Sequence, residues 1–272
     1  MKGKTVVLTG ASSGIGAAAA RELAALGATV IAVGRSPERT AAIAAELGTA
    51  PVVADFARLD DVRTAATAIL AAAPRIDVLA HNAGGLISHR TTTVDGHEAT
   101  FQTNHLAPFL LQHLLADRLA ASAANGPARV IATSSVGHRF ARLRLDDLDW
   151  QRRRYRSLAA YGTAKLANIL FARALATAGV DAYSFHPGNV ATAFAADNWF
   201  PVGWIYRTPL RSRLLIPTEA GAAPLVWLAS APTLPAPAGT YFDRFEVGRV
   251  RAGDLDRLAA GLWERSAELV GG

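Results

Sequence analysis

Tyr161-Gly162-Thr163-Ala164-Lys165 sets a phenol and an amine four residues apart on an expected helix, hence on one face. A free phenol holds its proton until about pH 10, too tightly for acid–base work near neutrality. A cation about 4 Å away, at an effective dielectric near 20, favours the phenolate by roughly 4 kcal/mol, or up to about 3 pK units. A Tyr–Lys pair so placed is a usable proton donor, although the spacing alone is equally that of an incidental surface pair. Two facts favour chemistry. Lys165 is the only lysine beyond position 4 in a chain that otherwise uses Arg. The pair also follows the fifth expected strand, where the crevice of an open sheet can lie.

Ser134-Ser135 ends that fifth strand, and a hydroxyl there can hold a substrate carbonyl; it is equally a strand-terminal turn. Asn104 sits among apolar neighbours inside a long expected helix, an unfavourable interior residue. It is either a buried structural amide or part of a polar relay. Near the N-terminus, Thr9-Gly10-Ala11-Ser12-Ser13-Gly14-Ile15-Gly16 follows a strand and opens a helix. Glycines let such a turn approach a pyrophosphate, and the helix N-terminus offers it free N–H groups and partial positive charge. A tight strand-to-helix connection would need no more, but its place at the first such junction of an α/β chain favours a dinucleotide. The second strand ends Val33-Gly34-Arg35, without the acid that NAD-binding folds direct at a ribose 2′-hydroxyl. Arg35, and less directly Arg39, offers a donor fork suited to a 2′-phosphate, so NADP is the expected cofactor. The nearest acid, Glu38, lies in Ser36-Pro37-Glu38, the start of a helix.

Positioning these groups requires elements, and short β-branched runs alternate with Ala/Leu-rich stretches along the whole chain. Strands are expected at Thr5–Thr9, Thr29–Gly34, Pro51–Ala54, Asp77–His81, Arg129–Thr133 and Asp181–His186. Helices are expected at Gly14–Leu26, Pro37–Leu47, Leu59–Ala73, Val94–Ala121 and Leu158–Ala178. Apolar strands separated by helices imply a parallel sheet covered on both faces, a doubly wound α/β architecture. With 272 residues and no linker, residues 1–272 form one expected domain. An Arg-rich insertion at 137–157 and an aromatic segment at 193–217 break the rhythm. The insertion mixes seven Arg between Arg139 and Arg156 with Asp146, Asp147 and Asp149, and reads as solvated and internally paired. The aromatic segment, with Trp199, Phe200, Trp204 and Tyr206, reads as a lid over substrate or an interaction surface.

Composition excludes several classes. The absence of Cys removes disulfides, Cys-ligated metals and a thiol nucleophile. The net charge of +6 rests on 28 basic residues, but the one cluster, Arg139 to Arg156, is mixed with acids, so the charge does not argue for nucleic acid. No run of about 18 uncharged apolar residues suggests a membrane span. The N-terminal MKGKTVVLTG runs at once into a strand pattern, so a cytoplasmic location is expected. His81, His89, His97, His105 and His113 recur every eight residues. That spacing drifts by about 80° around a helix and does not make a metal site.

Jointly these residues match a known pattern. The chain resembles the short-chain dehydrogenase/reductase family along nearly its whole length, through TGASSGIG, Asp55 after the third strand, His81-Asn82-Ala83-Gly84, the YxxxK pair and His186-Pro187-Gly188-Asn189-Val190-Ala191-Thr192. It is most similar to the retinol-dehydrogenase-like branch, through FQTNHLAPFLL, the RRRY insertion, YGTAKLANILFARAL and LWERSAELVG. The resemblance implies a Rossmann domain with a mainly parallel seven-stranded sheet and helices on both faces.

It also implies roles. Tyr161 would be the general acid in reduction and base in oxidation. Lys165 would lower its pKa and bond the nicotinamide ribose. Ser135 rather than Ser134 would orient the substrate carbonyl, because the family's catalytic hydroxyl immediately precedes a Val-Gly-like pair, here Val136-Gly137. Asn104 would hold a water linking Lys165 to solvent. NADP(H) would lie along Gly10, Ser12, Ser13, Gly14, Ile15 and Gly16, with Arg35 at the 2′-phosphate. Asp55 and Phe56 would lie by the adenine, and Asn82, Ala83 and Gly84 would line the cofactor. Pro187, Gly188, Val190 and Thr192 would lie along the carboxamide.

His81 replaces the family's usual Asn, a change expected to be structural. The N-terminal membrane anchor of vertebrate retinol enzymes has no counterpart, so retinoid activity is not implied. The expected activity is NADP(H)-dependent hydride transfer to or from a carbonyl or secondary alcohol of a lipophilic, ring-containing substrate. The alternatives are an enone C=C reductase and a catalytically silent NADP-sensing regulator; the presence of all four catalytic residues argues against silence. A sugar epimerase would need a substrate domain for which the chain lacks room. Relatives commonly pair as homodimers or homotetramers through the long helices from Val94 and Leu158.

Overall fold

A computed structural model describes residues 1–124, 126, 128–188 and 216–271. The strands are β1 (Thr5–Thr9), β2 (Thr29–Gly34), β3 (Val52–Val53), β4 (Val78–His81), β5 (Arg129–Thr133), β6 (Asp181–His186), β7 (Tyr241–Asp243) and β8 (Glu246–Val247). They form one sheet in the order β3-β2-β1-β4-β5-β6-β7-β8, parallel except for the final β7–β8 hairpin. The chain builds outward from β1 to β3 and then crosses back to place β4 on the other side of β1. A crevice at the carboxyl ends of β1 and β4 is the consequence.

The helices are α1 (Gly14–Ala25), α2 (Pro37–Leu47), α3 (Leu59–Ala72), the single turn α4 (Ala99–Phe101), α5 (Ala107–Ala123), α6 (Ser157–Thr177), α7 (Thr218–Ser230) and α8 (Leu255–Val270). Two hydrophobic layers cover the sheet. One joins Val7, Leu79 and Val130 to residues of α3, α5, α6 and α8; the other joins Leu8, Ala80 and Ile131 to α1 and α7. Alternate strand residues thus feed opposite layers, and almost every strand position is apolar because both faces are buried.

Four expectations are corrected. Among the described residues the sheet has eight strands rather than seven, because the chain reverses after β7 through Arg244, at φ 59°, and adds the two-residue β8. The third strand shrinks from Pro51–Ala54 to Val52–Val53 at the sheet edge, where Pro51 has no N–H to give the ladder. The helix expected from Val94 begins at Ala99. Gly96, at φ 88°, turns the preceding chain into a small bridge between Thr92 and Glu98, and the buried Glu98 carboxylate caps the helix by accepting from the Thr100 and Phe101 N–H groups.

The Arg-rich insertion is internally paired, with Arg153 3.2 Å from Asp147 and Arg144 3.4 Å from Asp146, but it is not simply solvated. Leu148 and Trp150 are buried within it, and the Arg153 guanidinium stacks 3.7 Å from the Trp150 ring centre. Asp149 accepts from the Glu98 N–H and Tyr155 donates to Glu98, so the insertion braces the start of α4.

Candidate active site

The register brings the ends of β1, β2, β4, β5 and β6 to one edge of the sheet, so Thr9, Gly34, His81, Thr133 and His186 mark one line. At its cofactor end, glycine permits contacts that no side chain would. Gly10 adopts φ 69°, and a Cβ on Gly16 would lie 2.1 Å from the Gly10 carbonyl oxygen. Ser13 occupies the cap of α1 yet makes no side-chain hydrogen bond to the first turn, which begins Gly14-Ile15-Gly16. These N–H groups therefore have no capping side chain and suit an anion. The loop fits the phosphates of a dinucleotide.

Ser12 lies against Gly34, where an added Cβ would approach Ser12 Oγ to 2.8 Å. Arg35 follows Gly34 and is exposed, as is Arg39 on the first turn of α2. Glu38 accepts a hydrogen bond from Ser36 at 2.9 Å, beside its own helix start. Asp55 caps the next turn by accepting from the Ala57 N–H at 3.0 Å. Phe56 sends its side chain into the core, leaving its main chain for any cofactor contact.

Asn82, Ala83 and Gly84 are held by a residue the sequence did not single out. Thr9 Oγ1 accepts from the backbone N–H groups of both Asn82 and Ala83 at 3.0 Å, while Asn82 Nδ2 donates to the Thr9 carbonyl at 3.1 Å. A Cβ on Gly84 would lie 2.2 Å from Asn104 Oδ1 and 3.3 Å from Lys165 Nζ. The cofactor loop and the catalytic candidates meet at this glycine.

Asn104 lies in a π-helical turn, Gln102–Leu106, between α4 and α5. Such turns insert one residue into the helical ladder and recur at functional sites. The fully buried Asn104 amide donates to the carbonyls of Gly85 (2.7 Å) and Thr100 (2.8 Å) and accepts from the Gly85 N–H (3.2 Å). Its side chain thus fixes the loop after Gly84.

The two serines diverge as strand alternation requires. Ser134 is buried and donates to the Lys165 carbonyl at 2.8 Å, a bond that ties β5 to α6. Ser135 is half-buried, and its Oγ caps a 3-10 turn, Val136–Phe140, by accepting from the Gly137 N–H. That turn lies on α6. A Cβ on Gly137 would touch Tyr161 Cε1 at 3.0 Å and Ser135 Oγ at 3.3 Å, so the phenol and the outer hydroxyl share one side of the turn.

Lys165 Nζ lies 5.6 Å from the Tyr161 ring centre and donates to the Thr133 carbonyl at 3.2 Å. Burial pulls Lys165 down to about 7. Pro187 is buried past β6, and Gly188, at φ 94°, lies against Ile216. Val190, Thr192 and nearly all of the expected lid at 193–217 fall outside the described residues.

His81 is buried edge-on to Phe171, and burial holds it down to about 4, partly offset by the Gln112 side chain. Among the described residues no cluster of three or more metal-ligating side chains exists. No described helix is long and apolar enough to cross a membrane.

A doubly wound sheet with a glycine-lined helix start on one side of its switch point and a Ser, Tyr and Lys on the other has the architecture of a nicotinamide-dependent oxidoreductase. The chain belongs to the short-chain dehydrogenase family, whose model matches residues 4–146. It is 44% identical over its whole length to a Streptomyces sp. (strain C5) protein proposed to be a daunorubicin C-13 ketoreductase, covering 94% of that protein. It is 35% identical to human retinol dehydrogenase 13, with 99% of the chain and 85% of the relative aligned. A crystal structure of an uncharacterised protein from Mycobacterium paratuberculosis superposes with a TM-score of 0.74 at 32% identity, over 99% of this chain and 94% of that one.

Proposed function

We propose that the protein is an NADP(H)-dependent reductase of a ketone or aldehyde on a lipophilic, ring-containing molecule, working reversibly on the corresponding alcohol. The observation that carries this reading is the grouping of Ser135 with Tyr161 beside Gly137 and of Tyr161 with Lys165, whose Nζ in turn reaches Gly84. Bound NADPH supplies hydride from C4 of its nicotinamide; the chain supplies orientation and a proton.

Gly10, Gly14 and Gly16 admit the pyrophosphate against the start of α1, with Ser12 and Ser13 beside it. Arg35 receives the 2′-phosphate, whose charge and paired oxygens match the planar donor fork of a guanidinium. Asp55 and Phe56 border the adenine, and Asn82, Ala83 and Gly84 the ribose and nicotinamide. Pro187, Gly188, Val190 and Thr192 take the carboxamide side. Ser135 Oγ donates to the substrate carbonyl oxygen, and Tyr161 delivers its phenolic proton to that oxygen as negative charge develops there. Lys165 favours the resulting phenolate and bonds the ribose. Asn104 keeps the loop after Gly84 in place and, through water, links Lys165 to solvent.

The substrate class is supported by two relatives whose names carry daunorubicin and retinol, both lipophilic and ring-containing. Exposed apolar side chains beside the site agree with it: Phe140, at the end of the 3-10 turn, is 61% exposed and Leu158, one turn before Gly162, is 45% exposed. NADPH consumption across lipophilic ketones, aldehydes and enones, with products identified by mass and NMR, tests the reading. Alcohol products support it. Saturated ketones from enones would make the protein a C=C reductase, and NADPH binding with no turnover on any class would favour a cofactor-sensing regulator.

A further inference from the structure

The Thr133 carbonyl at the end of β5 accepts two hydrogen bonds, from Lys165 Nζ at 3.2 Å and from Asn168 Nδ2 at 3.0 Å. A carbonyl oxygen has two lone pairs, so this one is fully used, and the ammonium of Lys165 shares it with an amide. Because the Asn168 NH2 faces Thr133, its Oδ1 is left as the acceptor, and it is buried without a hydrogen-bond partner. The neighbouring imidazole is His105, adjacent to Asn104 in the π turn. Its Nδ1 is likewise buried without a hydrogen-bond partner, and burial, only partly offset by the Asn168 side chain, holds the ring down to about 3.

His105 Nε2 lies 2.9 Å from Ser266 Oγ, on α8. Asn168 donates to Thr133, and His105 and Ser266 share a hydrogen bond whose direction follows the imidazole tautomer. Asn168, His105 and Ser266 are all at most 3% exposed, so water does not screen them. The titratable groups gathered here are Tyr161 and Lys165 on α6, His105 in the π turn and His81 at the end of β4, whose ring also faces His105 electrostatically. Among the described residues, burial is what acts on Lys165, with no carboxylate beside it.

We propose that Asn168 is a positioning residue for Lys165: by holding the Thr133 carbonyl that Lys165 Nζ also uses, it sets the place and protonation of the active-site lysine. The inference rests on the reading of Lys165 as that lysine, but its test needs no substrate. The positive end of the Asn168 amide competes with the ammonium for one acceptor. Its removal should therefore free the carbonyl for Lys165 and favour the charged form.

The chain has only three lysines, Lys2, Lys4 and Lys165. Lysine labelled with 13C at Cε thus gives three signals, and Lys165→Arg assigns the one of interest. We expect Asn168→Leu to raise the Lys165 titration midpoint by about half a unit or more. A midpoint unchanged or lowered in folded Asn168→Leu overturns the proposal. If that variant does not fold, an unchanged or lowered midpoint in Asn168→Ala does so. Wild-type protein inactive on every carbonyl would instead sink the reductase reading and leave this titration to be judged on its own.

Discussion

The two ends of the crevice are built by opposite means. At the phosphate end the working surface is backbone: Gly10 and Gly16 pass so close that a single methyl group would collide, and Ser13 leaves the first turn of α1 uncapped. At the chemical end the working groups are side chains, and buried polar bonds hold them: Ser134 to the Lys165 carbonyl, Lys165 and Asn168 to Thr133, Asn104 to Gly85. A surface made of backbone fails when something is added, whereas a surface made of side chains fails when something is removed. Damage at the first end should show as lost cofactor affinity, and at the second as lost rate.

The largest effect should come from the chemical end. Tyr161→Phe removes the proposed proton donor and should lower kcat by about 10²- to 10⁴-fold while leaving the Kd for NADPH, read by fluorescence titration, near the wild-type value. Gly16→Ala should invert that signature, weakening NADPH binding at least tenfold and costing about 1–3 kcal/mol of stability in urea unfolding through overpacking. A Gly16→Ala enzyme with normal affinity would break the contrast. The serines sharpen it within one end: Ser135→Ala should cut kcat/KM, and Ser134→Ala should instead lower the urea midpoint. Arg35→Ala should reduce the preference for NADPH over NADH by about ten- to a hundredfold, the worth of a charge-assisted hydrogen bond, with kcat little changed.

The smallest effect is one of pH. Burial holds His81 down to about 4 and His105 to about 3, both below an unfolded value near 6.5. The unfolded chain therefore binds more protons between those limits. Stability should be complete above about pH 6.5 and fall as the pH drops toward 4. His81→Asn should flatten that fall, measured as the urea midpoint at pH 7, 6 and 5.

Much of this was legible in the sequence, for reasons that follow the same divide. Gly10, Gly14 and Gly16 announce a backbone surface by type and spacing alone, and the strand ends that carry them are short β-branched runs whose positions hold. Tyr161 and Lys165 are visible because a helix keeps residues four apart on one face. What escaped depends on distant partners. Thr9 carries no local sign that its hydroxyl will hold the loop at Asn82 and Ala83, 73 and 74 residues away. Asn168 reads as one more helix residue until β5 brings Thr133 to it. The late start of α4 follows from Glu98, whose cap is legible only once Gly96 is known to turn. Trp150 and Leu148 were hidden among arginines, and their burial depends on the packing of the insertion rather than on its composition.

The account is tested most directly by following the hydride. Reduction of a lipophilic ketone with NADPH carrying deuterium at the transferring C4 position would be run with wild-type protein and with Tyr161→Phe. The expected result is deuterium on the former carbonyl carbon of the alcohol formed by the wild type, with product from the variant reduced by at least two orders of magnitude. Equal labelling by the two proteins would contradict the account.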